Sequence, residues 1–423
     1  MSSRRICATP LLTSAAATTV ILWGAVTANA CGLCVSLQSS VQQVKLQTSP
    51  TLAAAAPADG GGFNLGAFDI VLNPNATLST NTAALAAFER AAANWEQYIS
   101  DPIIVTIDAG FSSLGPGILG STSPVVLSNT YDSIRDLIVT DATDEGADDL
   151  VATRVPTRAQ FSALLPGGFT LTNSLLVNKA NLKALGIAGL DQQFGVADGT
   201  INFSTNFNFD FDNSDTMNTN FTDFETVATH EIGHLLGFIS SVDTVDRNAS
   251  GAISPFTLDL FRFANNTAGS DPSTLPQFMT NARSLLTGGD SITDDVNSEF
   301  RMSTGVNKGD GRQASHWKDG DLMGGNVIGV MDPTLAAGQV IEITNADLRA
   351  FDLIGYDIAF QPVPAPPAVV SLGIGGLVGL LGVGARKLRA RIRRTEGKQG
   401  RDASPAAIEW RVTRSIKSPR LRR

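Results

Sequence analysis

The 423 residues contain three histidines, and two of them sit four apart in the run His230-Glu231-Ile232-Gly233-His234. On a helix that spacing sets two imidazoles one turn apart, where their ring nitrogens can share one metal ion. Glu231 lies about 100° further round and reaches toward the metal's water rather than the metal. A hydrolytic zinc site takes three protein ligands and leaves a fourth position for water. A carboxylate then removes a proton from that water as it attacks a carbonyl. Glu231 is the expected general base, and His230 and His234 are two expected ligands. For the third there are two candidates, His316 in the loop-like run Ala314-Ser315-His316-Trp317 and the Asp243 carboxylate. His316 comes first because no other imidazole remains.

The elements around the motif suit this chemistry. Thr222 with Glu225 three residues on reads as a capping box that starts the helix. Phe224, Ala228, Ile232, Leu235, Leu236 and Ile239 gather on one apolar face, with the two histidines turned away from most of it. Gly237 offers a left-handed stop. Elsewhere, residues 83–98 read as a helix with Leu85, Phe88, Ala92 and Trp95 on one side, and 131–139 and 175–185 also look helical. Residues 103–107, 201–204 and 207–211 are strand-like. The acidic stretch 141–149 is expected to be a solvated loop. Asp210, Asp212 and Asp215 are a candidate calcium site, without the glycine and late glutamate of an EF-hand loop. Thr344 and Asp347 cap a helix running to Leu353-Ile354, stopped by Gly355.

From His230 to Gly237 the sequence reads H-E-x-x-H-x-x-G, which resembles the core of the metzincin zinc metallopeptidases. Most metzincins place a third histidine three residues after that glycine, where this chain has Ser240. The leishmanolysin-like branch places it far downstream, often before tryptophan, with a methionine turn behind it. His316-Trp317, followed by Leu322-Met323 and Val330-Met331-Asp332-Pro333, is similar to that arrangement. The resemblance covers about 130 residues, from His230 to Asp357. It implies Zn2+ on His230, His234 and His316, with the gap before His316, including residues 256–286, as an insertion. Met331, or alternatively Met323, would form a soft packed floor below the metal. The implied fold is α+β: a mixed twisted sheet, an active-site helix and a mostly irregular C-terminal subdomain. An extended polypeptide substrate would add as a strand along an edge formed by Ile201, Asn202 and Phe203. The implied activity is peptide-bond hydrolysis by a zinc-dependent endopeptidase. The alternative is a non-catalytic cell-surface or matrix protein with a closed, structural zinc site.

Charge and the chain ends suggest where such a protein would act. The net charge of −9 hides an asymmetry: residues 386–423 carry 14 Lys/Arg and 3 Asp/Glu, leaving 17 basic and 37 acidic residues in the rest. The acidic body argues against a nucleic-acid partner. Residues 1–30 have a basic start, an apolar middle and an Ala28-Asn29-Ala30 end, the pattern of a signal peptide for export. All three cysteines, Cys7, Cys31 and Cys34, lie near that end, and Cys31-Gly32-Leu33-Cys34 would form a small disulfide outside the cytosol. Residues 31–62 read as a low-complexity linker and 63–360 as the metallopeptidase domain. A Pro-rich linker (361–367), an uncharged apolar stretch (368–385) and a basic tail (386–423) follow. The stretch is long enough for a transmembrane helix with the basic tail cytoplasmic. The three together resemble a PEP-CTERM sorting signal, which implies a Gram-negative envelope and a sorting protease as partner.

Overall fold

A computed structural model describes residues 28–31, 42–43, 67–145, 150–215, 217–265, 270–289, 291–294 and 299–359. The chain divides into two compact units, Met1–Phe360 and Gln361–Arg423, and every described residue belongs to the first. The α+β class expected from the sequence is what this unit shows.

Eight strands matter for the site: β1 (Ala28–Cys31), β2 (Asp69–Pro74), β3 (Ile104–Ser112), β4 (Ile118–Pro124), β5 (Val126–Thr130), β6 (Ser174–Asn178), β7 (Gly199–Ser204) and β8 (Thr334–Leu335). Six form one mixed sheet in the order β8-β1-β4-β7-β3-β2. In β3, Val105, Ile107 and Ala109 are buried and alternate with Thr106 and Asp108, the two-residue period of a half-covered strand. Strand β7 runs parallel to β3 and antiparallel to β4, with Ile201 opposite both Ala109 and Thr122. Strand β1 pairs parallel with β4, Asn29 opposite Ile118 and Cys31 opposite Gly120, and antiparallel with β8.

Five helices complete the frame: α1 (Thr82–Glu96), α2 (Tyr131–Glu145), α3 (Lys179–Ala184), α4 (Phe224–Leu236) and α5 (Asn345–Leu353). Helices α1 and α4 pack on each other and on the sheet. Phe88 of α1 and Phe224 of α4 close on Phe203 of β7 at ring separations of 5.1 and 4.5 Å. The α1–α4 seam also holds specific bonds: Trp95 Nε1 donates to the Thr229 carbonyl, and Arg90 and Asn94 both donate to the Glu225 carboxylate. Helix α5 adds Phe351 against Trp95, ring centres 4.7 Å apart.

Several expectations need correction. Residues 175–185 are not one helix: Leu175-Leu176-Val177 belongs to β6, paired antiparallel with β5, and the chain turns helical only at Lys179. A short buried apolar run has no periodicity to separate strand from helix. The acidic stretch begins inside α2, which runs through Asp141 to Glu145. The strand over 207–211 shrinks to Phe209–Asp210. Within the mostly irregular C-terminal part there is also an element the sequence did not announce: a second sheet of five short strands, Glu299–Met302, Ser291–Asp294, Arg262–Ala264, Arg283–Ser284 and Ala163–Leu164, the first four of them in the expected insertion.

The membrane partner and transmembrane helix are likewise corrected: among the described residues, no helix is long and apolar enough to cross a membrane. The longest of them, α1 and α2, have 15 residues each, about 22 Å against a hydrocarbon core of about 30 Å. The stretch 368–385, its Pro-rich and basic flanks, Cys34 and residues 1–27 of the expected signal peptide lie outside the described residues.

Candidate metal centre

Helix α4 starts one residue later than the expected cap. Asp223, not Thr222, is its N-cap, with Oδ2 accepting from the Thr226 amide at 2.9 Å. Glu225 serves Arg90 and Asn94 instead of reaching back to the cap. Every residue of the helix except Glu225 is buried, so the histidine side faces an interior rather than solvent. The helix stops at Gly237, whose φ of 139° falls where residues with a Cβ are strained. Its last carbonyls are taken up by side chains. Asn178 Nδ2 donates to the His234 and Leu235 carbonyls, and the Tyr356 hydroxyl donates to that of Leu236.

Beyond Gly237 the chain runs 82 residues from His234 before His316 returns to the same place. Asp243 directs that return. Its carboxylate accepts from the amides of Ala314 and Ser315 and from the Ser315 hydroxyl. Asp243 therefore clasps the loop that carries the third histidine and is not one of the grouped ligands. Ser240, at the position where metzincins usually carry a ligand, donates its amide to Ser315 Oγ and its hydroxyl to Asp259. The second sheet contributes Arg262, fully buried, which donates to the carbonyls of Ser303 and Ala314. Ser303 in turn donates its amide to the His316 carbonyl and its hydroxyl to that of Trp317.

The three imidazoles meet through Nε2. His230 and His234 are 3.1 Å apart at these atoms, and each is 3.2 Å from His316. Every Nδ1 faces a backbone carbonyl: Val330 at 2.7 Å, Phe238 at 2.8 Å and Gln313 at 3.2 Å. A carbonyl can only accept, so each Nδ1 carries the proton and each Nε2 points a bare lone pair inward. All three rings are 1% exposed. Burial holds their pKa values down, to about 4 for His234, so all three are neutral at pH 7. Three converging lone pairs in a buried pocket repel one another, and a cation between them relieves that repulsion. Tetrahedral ligation at about 2.0–2.1 Å puts ligand nitrogens roughly 3.3 Å apart, close to the observed triangle. These three buried histidines could hold a metal ion, and they are the only such grouping of His, Cys, Asp or Glu among the described residues.

Glu231 is fully buried outside that grouping. Thr122 Oγ lies 2.7 Å from its Oε2, while Oε1 has no hydrogen-bond partner. Burial raises its carboxyl to about 8, against the smaller lowering effect of Thr122. Gly120 of β4 leaves the space that Glu231 needs, since a Cβ there would sit 2.5 Å from Oε1.

Met331 is the methionine below the helix, fully buried and directly against Gly233, whereas Met323 is half-buried at the end of a short 3-10 turn. Asp347 fixes that floor while capping α5, accepting from the amides of Val330 and Met331 and from Trp317 Nε1. Ile201, Asn202 and Phe203 are not on an edge. Strand β7 is paired on both sides, and the strand beside Glu231 is β4. Asp210 and Asp212 spend their carboxylates on amides of their own loop, and with Asp215 they form no metal grouping. Thr122, Asn178 and the Val330 carbonyl had no sequence signal, because each acts on a residue far away in the chain; the Phe238 carbonyl is four residues from His234, but a backbone carbonyl carries no residue-type signal. No protein-family model, curated protein or solved structure matches the chain.

Proposed function

We propose that the protein is a zinc-dependent endopeptidase of metzincin-like design, with His230, His234 and His316 as ligands and Glu231 as general base. The observation that carries the reading is the convergence of three unprotonated Nε2 atoms with no fourth protein ligand grouped with them among the described residues. Structural zinc sites are closed by four protein ligands, whereas catalytic sites use three. A zinc ion bound there would act as a Lewis acid that acidifies water and polarises a carbonyl. The carbonyl acceptors on Nδ1 hold the three rings in the ligating tautomer and orientation. In its ionised form, which the charge of a bound cation would favour against the burial that raises its carboxyl, Glu231 takes a proton at its free Oε1 and returns it to the amine nitrogen that leaves. Its burial keeps competing solvent from that oxygen.

An extended polypeptide is the substrate class that the sheet supports. Strand β1 already shows that a short extended segment fits between β4 and β8, opposite Gly120, the residue packed against Glu231. Main-chain hydrogen bonding of this kind accepts many sequences, with side-chain pockets adding preference. Burial of all four site side chains to 1% or less also favours the second reading, a structural metal in a non-catalytic protein.

One comparison separates the two. Wild type and Glu231→Ala are loaded with zinc and incubated with an unfolded protein, with fragments and metal content measured. The endopeptidase reading expects one zinc per chain in both and cleavage by wild type alone. Zinc in both with cleavage by neither supports the structural reading, and cleavage by Glu231→Ala removes Glu231 as the base.

A further inference from the structure

Glu231 must present one oxygen to the reacting water, and a free carboxylate can rotate. The structure holds it from one side. Gly120 and Thr122, two apart on β4, face α4 together. Gly120 gives room at Oε1, and Thr122 places its hydroxyl 2.7 Å from Oε2 and 2.9 Å from the Glu231 carbonyl. Thr122 itself is 3% exposed and lies opposite Ile201 in a strand paired on both sides. A β-branched side chain there has few rotamers, so its hydroxyl is a fixed donor.

We propose that Thr122 is a positioning residue for the base. Its hydroxyl engages Oε2, fixes the plane of the carboxylate and leaves Oε1 as the oxygen that exchanges the proton. The hydroxyl has one hydrogen and two acceptors in reach. With Glu231 ionised, the hydrogen goes to Oε2, because a hydrogen bond to a charged acceptor is the stronger one. No other hydrogen bond to the Glu231 carboxylate is seen among the described residues.

The inference rests on the endopeptidase reading for its effect on turnover, but not for its geometry, and the test separates the two. Thr122→Val keeps shape and removes the donor, and Thr122→Ser keeps the donor and removes a methyl group. Both are compared with wild type in zinc content, in kcat and KM on a fluorogenic peptide, and in the Glu231 side-chain conformation of a crystal structure. Thr122→Val is expected to bind one zinc, lose about 10- to 100-fold in kcat with KM changed less than about twofold, and show Glu231 turned from its wild-type rotamer. Thr122→Ser is expected to stay within about threefold of wild type, with Glu231 unmoved. The proposal is overturned if Thr122→Val leaves Glu231 in place, if it keeps wild-type kcat, or if Val and Ser impair the protein equally, which marks a packing role. If wild type cleaves nothing, the endopeptidase reading fails, and the Glu231 rotamer in the two variants still decides whether Thr122 holds the carboxylate.

Discussion

Replacing Gly233 by alanine pits local helix preference against packing, with opposite signs. In an exposed helix interior, glycine to alanine stabilises by about 1 kcal/mol. Gly233 lies inside α4, where a Cβ would fall within contact distance of Met331 Sδ, 3.2 Å from Met331 Cε and 3.3 Å from Trp95 Cζ2. Met331 would have to retreat by roughly 1 Å to reach an ordinary contact of about 3.5–4.0 Å. It has little room, because Asp347 holds its amide and its side chain is fully buried. Trp95 cannot yield either, since its Nε1 is bonded to the Thr229 carbonyl. Overpacking of a tight core costs about 1–3 kcal/mol, which exceeds the helix gain and leaves a net loss of about 1 kcal/mol. Urea unfolding of the chelator-treated protein measures this without a contribution from bound metal. In a Met331→Ala background the main obstacle is gone and only the 3.3 Å approach to Trp95 Cζ2 remains, so the same glycine change should be more favourable there than in wild type by about 1 kcal/mol. A more stable Gly233→Ala with Met331 intact, or an equal loss in both backgrounds, would refute the packing of Met331 against α4.

Asp243→Ala removes the acceptor of three bonds to Ala314 and Ser315 and should weaken zinc binding by about 10- to 100-fold, read by chelator competition; unchanged affinity would mean that the His316 loop holds itself. The pH dependence of the apo protein has a definite sign. Burial pushes His234 from its usual 6.5 down to about 4, so the unfolded chain binds the proton first. The stability that neutral His234 contributes is complete above about pH 6.5 and is lost as pH falls toward about 4. Urea midpoints between pH 7.5 and 4 should therefore drop, and less steeply in His234→Gln; parallel slopes would show that His234 titrates normally.

What the sequence revealed was what a single window can hold. Helix α4 has its two histidines, apolar residues and terminating glycine within 16 residues of one another, so its period was readable. The Thr344–Asp347 cap of α5 was readable for the same reason. Alternation in Ile201 to Ser204 identifies a strand but carries no information on whether its flanks are paired, so it does not separate an interior strand from an edge. Asp243 was legible as a candidate third ligand, yet a carboxylate that ligates and one that clasps the loop of His316 have the same letter. The scarcity of histidine pointed to His316. The Arg262, Ser303 and Ser240 contacts that hold its loop join segments far apart in the chain.

The 82-residue separation of His234 from His316 also has a consequence in time. A ribosome adding about 5–20 residues per second completes the helix pair roughly 4–16 s before the third ligand exists. For that interval the nascent chain offers only two imidazoles, and a metal bound to two exchanges easily. The loop cannot be delivered until Arg262 and Ser303 have been made and folded around it. On the proposed reading, commitment to one metal would fall at closure of the late segment rather than at first encounter, and a chain truncated before Ala314 should release within seconds a zinc ion that the full chain keeps.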